Sequence, residues 1–262
     1  MGSFVVLGVI GPWIAPHPPA QLDVSQSLLP PAWLGGGTTN HLLGTDQLGR
    51  DVLSRLLSGA RLSLIVALVA VVLSGAVGVL LALIAGYLGG RADAVITRVT
   101  DASIAFPILL LAIVIVGIYG PSTTAVIVIL TIAGWPQYCR VLRSEVLSLT
   151  TRDFVSMARV MGAPRRWVIG RHLLPNLAST ILVLATLQMG GAIIAEGSLS
   201  FLGIGVPPPS VSWGGMLADG HAYLTTAWWL CTFPGVALSL TVLAANVLGD
   251  WLRVRNDPTR RR

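Results

Sequence analysis

The chain contains no lysine: all 17 of its basic residues are arginines, and only 11% of its 262 residues are charged. Soluble domains carry about 25% charged residues, so one large water-soluble core is excluded. A standard P-loop needs a lysine to reach the β/γ-phosphates, so any ATP used here is expected on another chain. There are two cysteines, Cys139 and Cys231, near opposite ends of different expected spans. Disulfide geometry requires Cα atoms within about 7 Å, so they are read as two separate thiols. The four histidines lack metal-ligand spacing, and no metal site is expected. No Ser/His/Asp constellation or paired carboxylate stands out, and neither catalysis nor a nucleic-acid partner is expected.

What the chain has is apolar length: 54% of its residues are hydrophobic. About 20 apolar residues cross a bilayer as a helix. Leu62 to Leu88 meets this without an internal charge. Ile104 to Tyr119 is shorter, with Pro107 expected to kink it near its start. Thr124 to Tyr138 begins the next span, Leu177 to Leu199 forms another, and Thr226 to Leu248 the last. Phe4 to Ile14 would reach roughly 17 Å as a helix, short of a bilayer core of about 30 Å. It is read as part of an incomplete first span. The expected organisation is 1–61 as that span and an outer segment, 62–250 as the membrane domain with a loop at 140–176, and 251–262 as a basic tail.

Arginine placement orients these spans. With 140–176 in the cytoplasm, Arg91, Arg98, Arg140, Arg143, Arg152, Arg159, Arg165, Arg166, Arg171 and the tail residues Arg253, Arg255, Arg260, Arg261 and Arg262 are inside. Arg50, Arg55 and Arg61 are outside, so the bias follows the positive-inside rule. Along Leu62 to Leu88, the residues Ala70, Ser74, Gly78, Ala82 and Gly86 recur every fourth position. Such a stripe lets a second helix backbone approach closely, in this chain or in another subunit.

The stretch Arg152 to Asn176, RDFVSMARVMGAPRRWVIGRHLLPN, is a charged, amphipathic insertion between two spans. Thr150 or Thr151 can cap a helix there, with Asp153 in its first turn. Phe154, Met157, Ala158 and Met161 share one helical face, ready to fill a groove on a partner. Gly162 is expected to end the helix in a left-handed turn, and Pro164 to keep it from continuing. A second helical stretch, Arg165 to Leu173, is expected to end near Pro175. The competing reading makes the arginines positive-inside residues or a patch attracted to membrane lipid.

Three segments together carry a family resemblance: His41 to Leu64 (HLLGTDQLGRDVLSRLLSGARLSL), Arg152 to Asn176, and Leu199 to Gly220 (LSFLGIGVPPPSVSWGGMLADG). They resemble the C-type permease subunit of ABC importers for dipeptides, oligopeptides, nickel and related solutes. The resemblance implies an all-α type I importer transmembrane domain of about six helices and a heterodimer with a homologous B-type permease. It also implies two ATPase subunits that bind ATP and Mg, an extracytoplasmic substrate-binding protein, and a peptide cargo. No cofactor is implied for this chain. Ser156, Met157 and Ala158 take the positions of the family's Glu-Ala-Ala triplet, departing from it at Ser156 and Met157. Gly162 matches its glycine and Leu174-Pro175 its closing pair. The ATPase-coupling loop is thus Arg152, Asp153, Phe154, Val155, Ser156, Met157, Ala158, Arg159, Met161, Gly162, Ala163, Leu174 and Pro175.

Polar groups within the spans are the translocation-path candidates. Glu196 is one, because an ionisable group in a span usually faces a cavity or partner, against a position at the interface that is hydrated or hydrogen-bonded to the following loop. Gln188 and Asn246 are the others, against plain helix–helix hydrogen bonding. Asp219 and His221 are candidate contacts for the binding protein, against solvated loop positions. Asp101 is expected to pair with Arg98 or a partner chain. A secondary transporter would need inverted repeats with broken helices and a coupling-ion site, and neither is apparent.

Overall fold

The computed structural model describes residues 10, 11 and 13–256, so most of the Phe4 to Ile14 reading and the tail residues Arg260, Arg261 and Arg262 lie outside the described residues. Four helices are long and apolar enough to cross a membrane: α1 (Val52–Leu88), α4 (Thr123–Thr150), α6 (Arg165–Phe201) and α8 (Trp229–Asn256). A fifth crossing is formed only if a bent pair is counted, α2 (Gly90–Ala105) and α3 (Ile108–Tyr119), which meet at 88°. The kink expected at Pro107 is there, and it divides the run from Ile104 between the two helices. Pro107 cannot continue the preceding helix and holds extended backbone at its start, leaving a 12-residue α3 of roughly 18 Å. Among the described residues there are also two eight-residue α-helices, α5 (Asp153–Val160) and α7 (Trp213–Gly220).

α1 begins ten residues before the apolar run because Asp51 caps it, its carboxylate accepting from the Ser54 amide at 2.8 Å. The small-residue stripe of α1 is buried, and its partner belongs to this chain. Gly78 lies against Tyr138 and the Trp135 carbonyl, Gly86 against Val146, and Ser74 against Gly134, all on α4. Positions rise together along both helices, so α1 and α4 run parallel. α6 returns antiparallel, with Gln188 near Gly134 and Glu196 near Ser63. α8 reverses again, Asn246 facing Gly190 and Leu238 facing Gly197.

α2 packs against α1 and α4 and carries charge. Arg143 of α4 donates twice to Asp93 at 2.5 and 2.6 Å, and Arg140 to Asp101 at 2.7 Å. Asp101 thus pairs with Arg140 rather than Arg98. Two apolar cores hold the ends. One joins Leu83, Tyr138, Leu142 and Val146 to the loop residues Val155, Val168 and Leu173. The other gathers Val52, Ala60, Trp213, Met216, Trp229 and Leu230.

Candidate functional site

The loop between α4 and α6 folds as a short helix with two different faces. The Thr150 and Thr151 hydroxyls donate backwards, to the Leu147 and Ser148 carbonyls at 2.7 and 2.8 Å, so neither caps α5. Arg152 takes the cap position by its backbone alone, and Asp153 stands in the first turn, favoured by the helix dipole. Val155 and Ala158, three residues apart, are buried in the core beneath. Met157, Val160 and Met161 point away, 64%, 89% and 84% exposed. The predicted face is corrected at Ala158, which turns inward, while Val160 joins the outward side. A stripe chosen by hydrophobicity cannot tell the anchoring side of such a helix from the free one.

Gly162 has φ +78. Its amide donates to the Arg159 carbonyl and the Ala163 amide to Ala158, both at 3.0 Å, closing α5 in a Schellman motif. Pro164 then caps α6. The expected stop near Pro175 is also corrected, because α6 runs on as one helix. A π-turn at Ile169–Leu173 directly precedes Leu174-Pro175. Its wider winding accommodates a proline that has no amide to donate. Asn176 Nδ2 satisfies the His172 carbonyl at 2.6 Å. The His172 ring lies 4.8 Å from Trp167 and 5.7 Å from Phe154, tying α5 to the π-turn. Arg159 stacks its guanidinium over Tyr87 of α1 at 4.9 Å.

The three candidate path residues are not brought together. Glu196 is fully buried between α1, α6 and the loop before α7, where Ser63 and Ser200 donate to its carboxylate at 3.0 and 2.8 Å. Gln188 lines a cleft of about 190 Å³ with Ser74, Gly134 and Gln137. Asn246 lines a separate groove of about 680 Å³ between α6, α7 and α8, walled by Ile194, Phe201, Leu238 and Val242. No charged side chain lines either space.

At the opposite end, Asp219 is held in an ion cluster rather than free in a loop. Its carboxylate accepts from Arg50 and Arg55 at 3.2 and 3.0 Å. Both arginines also donate to Asp46, Arg50 at 2.6 Å. His221 is exposed, its ring against Phe201 and its Nδ1 near the Ala218 carbonyl. Ser212 caps α7, and Trp213 Nε1 donates to the Leu56 carbonyl at 2.9 Å. Trp229 Nε1 donates to the Thr45 carbonyl at 3.2 Å. This clamp on the His41 to Leu64 segment was not foreseen, since its partners lie more than 150 residues away. Two of the four histidines, His17 and His41, meet beside Asp51, a proximity that their spacing in sequence does not show.

A bundle of apolar helices with a bent pair on one side and an anchored amphipathic helix between α4 and α6 defines a transporter's membrane domain. Its fold matches a chain of the MetNI methionine ABC transporter, in structures described as inward facing. The match has a TM-score of 0.65 at 16% identity, covering 77% of this chain and 96% of that one. The sequence places it further. Residues 78–262 match the model for the binding-protein-dependent transport system inner membrane component, and the chain belongs to that family of multi-pass inner-membrane permeases. It is 47% identical over 252 residues to the dipeptide transport system permease protein DppC of Escherichia coli K12, covering 96% of this chain and 84% of that protein. It is 43% identical over 254 residues to the di/tripeptide transport system permease protein DppC of Pseudomonas aeruginosa, covering 97% and 84%. The probable D,D-dipeptide permease DdpC of Escherichia coli K12 is 37% identical over 254 residues, covering 97% and 83%.

Proposed function

We propose that this permease forms half of the translocation pore of an importer for di- or oligopeptides, and that α5 is where an ATPase subunit docks. The observation that carries the docking role is the division of α5. Val155 and Ala158 fix it to the bundle, while Met157, Val160 and Met161 stand in the open on the other side. An anchored helix with an adaptable, thioether-rich outer face suits an apolar groove on a partner. A movement of that partner reaches α6 through the Phe154–His172–Trp167 cluster and the core around Val168 and Leu173.

In this reading the loop and the C-terminal basic end face the cytoplasm, as the arginine bias supports. Two separate ATPase subunits bind ATP and Mg, and a homologous permease supplies the other half of the pore. A substrate-binding protein delivers cargo to the opposite side, where Asp219 and His221 stand. The peptide assignment is supported by the dipeptide and di/tripeptide transport named for the 47% and 43% identical relatives. The uncharged linings around Gln188 and Asn246 suit cargo whose side chains vary in charge.

The test is co-purification of the ATPases with membrane-inserted permease, wild type against Met157→Asp/Met161→Asp. Both substitutions lie on the free face and leave the anchors intact. Loss of the ATPases and of labelled dipeptide uptake is the expected result. Full retention would remove α5 as the docking element. Uptake of a nickel chelate, glutathione or haem in place of dipeptide would reassign the cargo and leave the docking result standing.

A further inference from the structure

His17, His41 and Asp51 come together beside the N-terminus of α1, at the end of the bundle opposite α5. One ligand atom from each lies within 4.8 Å of the others. Each residue has its remaining polar atom fixed by a neighbour. His17 Nε2 faces the Asn40 carbonyl at 2.9 Å, leaving Nδ1 with a lone pair. His41 Nε2 faces Gln26 Oε1 at 2.9 Å, and its Nδ1 points at Asp51 Oδ1 at 3.0 Å. Asp51 Oδ2 accepts from the Ser54 amide and hydroxyl at 2.8 and 2.7 Å, which aims Oδ1 at the histidines. Metal-binding histidines are oriented in this way, by a carbonyl or carboxylate on the nitrogen that does not bind the metal.

The space beside these groups is polar, with two carboxylates beside the two imidazoles. It measures about 130 Å³ and is lined by Gln21, Asp23 and Gln26 as well as the three residues, with no arginine among its walls. That is room for an ion and a water. A hydrogen bond from the Ser25 hydroxyl holds the half-buried Asp23 carboxyl below its usual range, adding negative charge beside the site. His41 meets an oxygen on both ring nitrogens, and a metal ion would replace the proton between its Nδ1 and Asp51 Oδ1.

We propose that His17, His41 and Asp51 form a binding site for a divalent transition-metal ion of the zinc, nickel and copper group. Two imidazoles and one carboxylate match these borderline ions and disfavour magnesium or calcium, which prefer oxygen ligands. Zinc ligands stand about 2.0–2.2 Å from the ion, so the three atoms need to draw in by roughly 1.5 Å. The partly exposed His17 side chain can supply that movement. The bound ion cross-links the segment before α1 to the α1 cap, across the 34 positions from His17 to Asp51. The proposal does not depend on the cargo or on the role of α5.

The experiment takes the whole importer complex in detergent, strips it with EDTA, and reloads it with Zn²⁺ or Mg²⁺. Metal is then counted by mass spectrometry. Wild type is expected to hold one more zinc per permease than the His17→Ala and His41→Asn complexes, and no additional magnesium. Co²⁺ loading should give the visible absorption of a low-coordinate site in wild type, and that absorption should be missing from His17→Ala. His17→Ala removes a partly exposed side chain outside the helices, so it decides the question even where His41→Asn fails to assemble. Equal zinc in wild type and His17→Ala, or displacement of zinc by magnesium, overturns the proposal and leaves a plain hydrogen-bonded cluster.

Discussion

A methyl group added at Gly78 falls onto the Cβ of Tyr138, 2.7 Å from the Trp135 carbonyl oxygen and 3.1 Å from the Cys139 amide nitrogen. Two of these neighbours are backbone atoms of α4 and cannot swing aside, so Gly78→Ala must push α1 and α4 apart. Overpacking of this kind costs about 1–3 kcal/mol, which lowers the folded-to-unfolded ratio by roughly 5- to 150-fold. Gly75, three residues earlier on the same helix, is the control. A methyl group there meets only the Tyr138 ring, at an ordinary 3.5 Å. Thermal unfolding of the two variants in identical detergent should therefore separate them. Gly75→Ala should melt within a degree or two of wild type, and Gly78→Ala clearly below both. Equal melting temperatures would refute the close approach of α1 and α4 at Gly78, and with it the assignment of the small-residue stripe to this chain.

Three further outcomes are expected. Gly162→Ala meets no neighbouring atom but forces a side chain onto φ +78, a left-handed strain of about 1–2 kcal/mol. Transport should fall and the melting temperature should drop by a few degrees, and unchanged uptake would show that the α5 turn is dispensable. Arg55→Ala takes one of two arginines from the buried Asp46, which keeps Arg50, and should cost about 1.5–3 kcal/mol. Asp219→Asn should cost far less, because that side chain is 41% exposed against 6% for Arg55; chemical unfolding that ranks them the other way would contradict the cluster. Glu196→Gln keeps an oxygen to accept from Ser63 or Ser200, whereas Glu196→Ala leaves both hydroxyls without it. Membrane levels of the Gln variant should match wild type and those of the Ala variant should fall, with equal levels counting against a packing role.

Much of this fold can be read along one dimension. The long spans follow from hydropathy, because a helix in lipid must satisfy its own backbone and shed its charge. The end of α5 follows from Gly162, since few residues other than glycine accept its backbone angle. What could not be read depends on residues distant in sequence. The partner of the stripe required Tyr138 and Val146, the burial of Glu196 required Ser63, and the clamp on Asp46 required Asp219. Met157 and Ala158 differ in fate only because Val168 and Leu173 lie under one side of α5. Pro175 reads as a stop in sequence, yet one wider turn absorbs it.

α6 has its own mechanical consequence. Its 37 residues extend roughly 55 Å, nearly twice a bilayer core of about 30 Å. One end carries Val168 and Leu173, packed beneath α5, and the other carries Glu196 and Ser200, pinned to α1 and the approach to α7. Such a rod works as a seesaw: a tilt of about 10° around its middle swings each tip by roughly 5 Å, in opposite directions. Narrowing at one mouth and widening at the other then become a single motion of a single piece.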